Sequence, residues 1–262
     1  MRITRRSAAA VGATLAAIAL AAGSAASARP VQAPVASTPT GTITVSAAAS
    51  LTDVMPVIAT AFRKRYPGVS VRFNFGGSSA LVEQVNAGAP IDVLATASEP
   101  TMAKAVAARS VDRPWLFAKN TMAIAVPPGN PANVRSLADL ARVSVAVCAP
   151  AVPCGAATRD LLARSGVSIK PVTQELDVRA VLGKVMADEV DAGIVYVTDV
   201  RAVGARVGYV PIPAARNVLT TYPIAAVRSA PNPVAARAFV DYVRFRLSAQ
   251  GILRAYGFLR PW

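Results

Sequence analysis

Along the chain, short apolar runs alternate with stretches in which apolar residues recur every three to four positions. The runs with strand character are Ile43 to Ser46, Val69 to Phe75, Ile91 to Ala95, Met122 to Val126, Val143 to Val147, Gly193 to Val197 and Pro223 to Val227. Between them the helical period predicts helices over 52–65, 79–87, 101–108, 135–141, 156–165, 178–187 and 234–248. Such alternation predicts an α/β fold. Two segments interrupt it: "AVPPGNPANV" after the strand at 122, where Pro-Pro-Gly-Asn-Pro stops any element, and "NVLTTYPIAAV" before the strand at 223. Read as crossings between lobes, they make a discontinuous first lobe of 42–125 and 220–262, with 126–219 inserted as the second lobe. A cleft bounded by two hinge strands follows from that layout.

The N-terminus follows a different pattern. Arg2, Arg5 and Arg6 precede an apolar run from Ala8 to Ala22, and Ala26-Ser27-Ala28 supplies a small-x-small cleavage site. Residues 1–28 therefore read as a secretory signal peptide, too short and alanine-rich for a membrane anchor. Arg5-Arg6 leaves both the general secretory and the twin-arginine export routes open. No cysteine stands at the cleavage site to carry a lipid. Residues 29–41 (RPVQAPVASTPTG) read as a flexible leader.

The formal net charge of +14 falls to +11 once Arg2, Arg5 and Arg6 are removed. A basic balance points to nucleic acid or an acidic membrane surface only where the charges cluster. Here only Arg63-Lys64-Arg65 form a run, without interleaved aromatics, and a solvated helix end accounts for them. No nucleic-acid partner is expected. The cysteines, Cys148 and Cys154 in "VCAPAVPCGAA", stand six apart in an exported chain, which points to a disulfide before a metal pair.

Several chemistries are excluded by composition. The chain has no histidine, so Ser-His-Asp and Cys-His catalysis in their usual forms, and most zinc sites, are ruled out. No Ser-x-x-Lys or Gly-x-Ser-x-Gly motif occurs, and "NFGGSSA" lacks the lysine of a phosphate-binding loop. An acid/base carboxylate pair stays open, but nothing in the sequence singles one out.

What recurs instead is a neutral, small or hydroxyl residue where a helix begins. Ser50 in "AAASLTD", Ser78 and Ser79 at the N-cap in "FGGSSALVEQV", Cys154-Gly155 in "PCGAATRDLL" and Asp177-Val178 in "ELDVRAVLGKV" all sit at such starts. Each exposes unpaired N–H groups and a partial positive charge, and is a ready anion site. Taken singly, each is also an ordinary cap, since Ser, Gly and Asp are what any helix start prefers.

Taken together, "ITVSAAASLTDVM", "FGGSSALVEQVNAGAPIDVLATAS", "VPCGAATRDLL", "LDVRAVLGKVMADEVDAGIVYVTDV" and "AFVDYVRFRLSAQGILRAYGF" resemble the molybdate-binding proteins of molybdenum ABC transporters, in one order from Thr42 to Phe258. The resemblance implies a two-lobed type-2 periplasmic-binding-protein fold that closes on one tetrahedral dianion, molybdate or tungstate, with no cofactor and no catalysis. It implies Ser50 and Ser78 as ligands from the first lobe. From the second it implies the amides of Cys154 and Val178 and the phenol of Tyr196 in "GIVY". Cys154 departs from the alanine common at that position, a change that a backbone ligand survives. The implied partners are an ABC permease and its ATPase, served by a monomeric, periplasmic or cell-envelope protein. Rival expectations are a carrier of sulfate or another oxyanion, an exported hydrolase with a carboxylate pair, and a sensor domain on the same fold.

Overall fold

The computed structural model describes residues 38–262. The signal-peptide reading, residues 1–28, and residues 29–37 of the leader lie outside the described residues. The elements run in the order β1 (Gly41–Ala48), a 3-10 turn (Ala49–Leu51), α1 (Val54–Arg65), β2 (Val69–Gly76), α2 (Ser78–Asn86), β3 (Val93–Ala95), α3 (Glu99–Ala107) and β4 (Trp115–Val126). A second 3-10 turn (Leu137–Arg142), β5 (Val145–Cys148), α4 (Pro153–Ser165), β6 (Thr173–Glu175), α5 (Val178–Met186), β7 (Ala192–Tyr196) and α6 (Val197–Val203) follow. The chain ends with β8 (Gly208–Val210), β9 (Leu219–Ala226), α7 (Pro233–Phe245) and α8 (Leu247–Ala255).

The strands form one continuous curled sheet in the order β2-β1-β3-β9-β4-β7-β5-β6, with β8 also pairing with β4. Strand β4 belongs to both halves. Trp115 to Thr121 pair antiparallel with β9, whereas Met122 to Ala125 pair antiparallel with β7. On one side of this junction β1 lies parallel between β2 and β3, and on the other β5 lies parallel between β6 and β7. Helices cover such parallel strands on both faces, which is why Val45, Ala47, Val145, Ala146 and Ile194 are all buried.

Packing explains the helices as well. In α1, Val54, Met55, Ile58, Ala59 and Phe62 form the buried stripe. Phe62 meets Phe239 and Tyr242 of α7 edge-on, with ring centroids 5.1 and 5.3 Å apart. A satellite core joins Leu81, Val82 and Val85 of α2 to Met102 and Ala105 of α3 over Leu94 and Ala225. The C-terminal segment is tied to the shared strand, with Gln250 Nε2 donating to the Phe117 carbonyl at 3.1 Å and Leu259 bridging Lys119.

Several boundaries depart from the sequence pattern, for identifiable reasons. Strand β4 starts at Trp115 instead of Met122, because polar Lys119, Asn120 and Thr121 mask a strand whose Asn120 is buried. The helix expected over 135–141 is a 3-10 turn. The one expected over 234–248 breaks at Arg246, which is extended (φ −77°, ψ 129°), and a separate α8 follows. The α6 helix, expected in part as strand, begins directly at Val197.

Candidate functional site

The loop after β1 tightens into the 3-10 turn at Ala49–Leu51 before α1 begins at Val54, so Ser50 precedes the helix it was expected to open. Ser78 is the first helical residue of α2, and Gly77, not a serine, is its N-cap. Cys154 follows Pro153, the first residue of α4. Proline has no N–H, so the Cys154 amide is the first donor that helix presents. Val178 opens α5 behind Asp177, whose carboxylate accepts from the Arg179 and Ala180 amides at 2.8 and 3.0 Å. That cap leaves the Val178 N–H as the first-turn amide still to be satisfied. Tyr196 ends β7, where its own N–H donates to Asp199 Oδ2 at 3.1 Å.

These five residues meet around one small cavity. Ala48, Ala49, Gly76, Gly77 and Ala97 line it on one side, and Val152, Pro153 and Asp177 on the other. All five are buried, Tyr196 to 1% exposure. No lysine or arginine is in the lining.

The hydrogen-bonding sense of the cavity is that of a donor set. Ser78 Oγ accepts from the Ala97 N–H at 3.1 Å, and Ser50 Oγ lies 3.0 Å from the Tyr222 hydroxyl. The Tyr196 hydroxyl is buried beside that of Tyr222 and, among the described residues, makes no hydrogen bond of acceptable geometry. Burial, foremost, and then the neighbouring Tyr222 and Asp199 push its pKa well above the ordinary phenol value, so it keeps its proton. A buried hydroxyl of this kind needs an acceptor. Together with the first-turn amides of α2, α4 and α5, the site offers O–H and N–H groups converging from both halves of the sheet.

Two features hold the halves together at its rim. Ser79 Oγ donates to the Ala151 carbonyl at 3.0 Å, and Arg179 pairs with Asp53. Arg179 also lies 3.2 Å from Asp199, which is fully buried. Burial pushes the Asp199 pKa up to about 7, while Arg179 and the Tyr196 N–H hold it down. Close backbone approach completes the rim, since a Cβ on Gly77 would stand 2.4 Å from the Leu176 carbonyl oxygen. Beside the cavity, Cys148 and Cys154 form a disulfide that ties the end of β5 to the first turn of α4. A Cβ on Gly155 would stand 1.9 Å from the Ala149 carbonyl oxygen, so glycine lets that loop press on the helix start.

Sequence reasoning missed the residues behind the lining: Tyr222 and Asn120 behind Ser50, and Arg179, Asp53 and Asp199 at the rim. Arg179 and Asp53 do stand within the quoted segments, but nothing in their spacing indicated a pair. Tyr222 and Asn120 carry no local signal at all.

The α/β frame with a cavity between the halves of its sheet is that of the type-2 periplasmic-binding-protein fold. Residues 43–259 match the family of bacterial extracellular solute-binding proteins, and the chain belongs to it. It is 42% identical over 222 residues to the molybdate-binding protein ModA of Mycobacterium tuberculosis, covering 84% of this chain and 85% of that one. To ModA of Escherichia coli it is 33% identical over 234 residues, covering 83% and 89% of the two chains. In fold it is similar to the periplasmic molybdate-binding protein of Azotobacter vinelandii (TM-score 0.71, 18% identity, 84% of this chain and 100% of that one). The sulfate-binding protein SubI of Mycobacterium tuberculosis has the same fold (TM-score 0.71, 22% identity, 83% and 86%).

Proposed function

We propose that this protein captures molybdate, and tungstate with it, outside the cytoplasm and delivers it to an ABC permease driven by its ATPase. The observation that carries the reading is the cavity's donor set, Ser50, Ser78, Tyr196 and the amides at Cys154 and Val178, in which a buried phenol makes no hydrogen bond of acceptable geometry among the described residues. Near neutral pH molybdate carries no proton, so its oxygens only accept. Donors satisfy every one of them, and the carboxylate residue in the lining, Asp177, is engaged by the Arg179 and Ala180 amides. Helix N-termini, each worth about half an elementary charge, offset the dianion without a lysine or arginine. The relatives at 42% and 33% identity, both molybdate-binding proteins, support the same ligand.

Binding works by closure. An anion held from both lobes stabilises the closed form by its differential affinity for that form, with no bond made or broken. The lobes proposed are 42–125 with 220–262, and 126–219. The N-terminal segment serves as the export signal, and the mature protein acts as a monomer in the periplasm or cell envelope.

Sulfate presents the same acceptors on a smaller frame and is the competing ligand. Thermal denaturation with molybdate, tungstate, sulfate and phosphate in parallel separates them. Ligand at a hundred times its Kd should add about 2.7 kcal/mol of stability. Molybdate and tungstate are expected to raise the midpoint at concentrations where sulfate and phosphate do not. Equal stabilisation by sulfate would remove the specificity, and no shift with any of the four would remove the oxyanion reading.

A further inference from the structure

Behind Ser50 runs a buried chain of hydrogen bonds that starts on the shared strand β4. Asn120 Oδ1 accepts from the Thr121 N–H at 3.0 Å. A backbone donor can face only the oxygen of that amide, so the orientation of the side chain is fixed and its nitrogen points the other way. Nδ2 donates to Thr198 Oγ1 at 2.8 Å and to the Tyr222 hydroxyl at 3.3 Å. An amide nitrogen has no lone pair to offer, and the Tyr222 oxygen is therefore the acceptor in that contact. Its proton must go elsewhere. The remaining partner of Tyr222 OH among the described residues is Ser50 Oγ at 3.0 Å. Tyr222 is fully buried, and the Tyr196 hydroxyl beside it does not come within hydrogen-bond geometry, which leaves Ser50 Oγ as its bonded oxygen. Ser50 Oγ then accepts from Tyr222, and its own proton is left for the cavity that Ser50 lines.

We propose that Tyr222, oriented by Asn120, is a positioning residue for oxyanion capture: it occupies the acceptor side of the Ser50 hydroxyl and commits that hydroxyl to donate into the cavity. The proposal rests on the oxyanion reading and sharpens its selectivity. An oxyanion without a proton meets a donor at Ser50, while one that carries a proton finds no acceptor there. Ser78 is committed in the same sense by the Ala97 N–H. That donor is backbone and cannot be removed by substitution, whereas the Tyr222 hydroxyl can.

The test is a double-mutant cycle on the molybdate dissociation constant, measured by calorimetry for the wild type, Tyr222→Phe, Ser50→Ala and the double variant. Phenylalanine keeps the ring that packs edge-on against Phe117, Tyr196 and Phe258, and leaves Asn120 bonded to Thr198. Tyr222→Phe alone should weaken molybdate by about tenfold, the size of one ordinary hydrogen bond, and cause no further loss once Ser50 is alanine. A purely structural role would give the same loss in both backgrounds, and that result, or no loss at all, overturns the proposal. Asn120→Ala is carried through the same cycle, so that a misfolded Tyr222→Phe does not decide the matter; its loss too should vanish in the Ser50→Ala background. A wild type that binds neither molybdate nor tungstate removes the oxyanion reading and the proposal with it, whereas additive losses in a wild type that binds remove the role of Tyr222 alone.

Discussion

Each lining serine differs from an ordinary cap in what its oxygen already accepts. Neither Ser50 nor Ser78 makes a side-chain cap bond to its own helix, and both have the acceptor side occupied, by Tyr222 and by the Ala97 N–H. Removing either hydroxyl deletes one donor to the ligand and also leaves a buried group, the Tyr222 hydroxyl or the Ala97 N–H, without that partner. Ser50→Ala and Ser78→Ala should each weaken molybdate by about 1–3 kcal/mol in calorimetry while the protein still folds, with some loss in the unliganded thermal midpoint from the unpaired donor. Normal binding by both variants would remove them from the site. Gly77 tests the rim differently. The Cβ of an alanine there would meet the Leu176 carbonyl at 2.4 Å, a clash that exists only while the halves are together. Gly77→Ala is expected to cost more than about tenfold in affinity through the closed form, without lowering the unliganded midpoint. Ser50, Ser78 and Tyr196 were singled out on short local motifs and their resemblance to a family, and the structure gathers them around one cavity. Tyr222 was not, since its bond to Ser50 joins residues 172 positions apart, and no local pattern encodes such a pairing.

At the scale of elements, the sequence located helix starts well wherever the cap chemistry was explicit. Asp177 followed by an apolar period marked α5 at Val178, as found. It failed where burial, not pattern, decides. Asn120 and Thr121 read as loop residues, yet Asn120 is 1% exposed inside β4 because Thr198 and Tyr222 satisfy its amide. The disulfide acts at this same scale. It closes a six-residue separation beside the first turn of α4, where Cys154 lines the cavity. So short a loop gives it an entropic contribution of about 2 kcal/mol. Its larger effect is to hold that helix start against the loop from Ala149 to Val152. Reduction, or paired Cys148→Ser and Cys154→Ser substitution, should lower stability by about 2 kcal/mol in urea and also weaken molybdate binding. Retained affinity in the reduced protein would show that the loop keeps its shape without the bond.

For the whole molecule, the two halves meet through charge as well as through the ligand. Asp53 follows the 3-10 turn next to β1, Arg179 lies in the first turn of α5, and Asp199 is buried in α6, so Arg179 links one half to a carboxylate at the centre of the other. The groups facing Asp199 are Arg179 and the Tyr196 N–H, which favour its charge, and Asp53 and Asp177, which oppose it; Tyr222 is also close by. Burial dominates, and the folded pKa is raised from 3.8 to about 7. In the interval between those values the folded protein holds a proton that the unfolded chain has released. Stability from this group is therefore complete below about pH 4 and is lost as pH rises through about 7. Urea midpoints measured from pH 4.5 to 7.5 should fall with rising pH in the wild type. They should fall less in Asp199→Asn, which keeps an acceptor for the Tyr196 N–H but cannot titrate. Arg179→Met removes the group that holds the pKa down and should extend the decline to higher pH. Identical slopes in the wild type and Asp199→Asn would mean that Asp199 stays ionised throughout, with Arg179 compensating its burial in full.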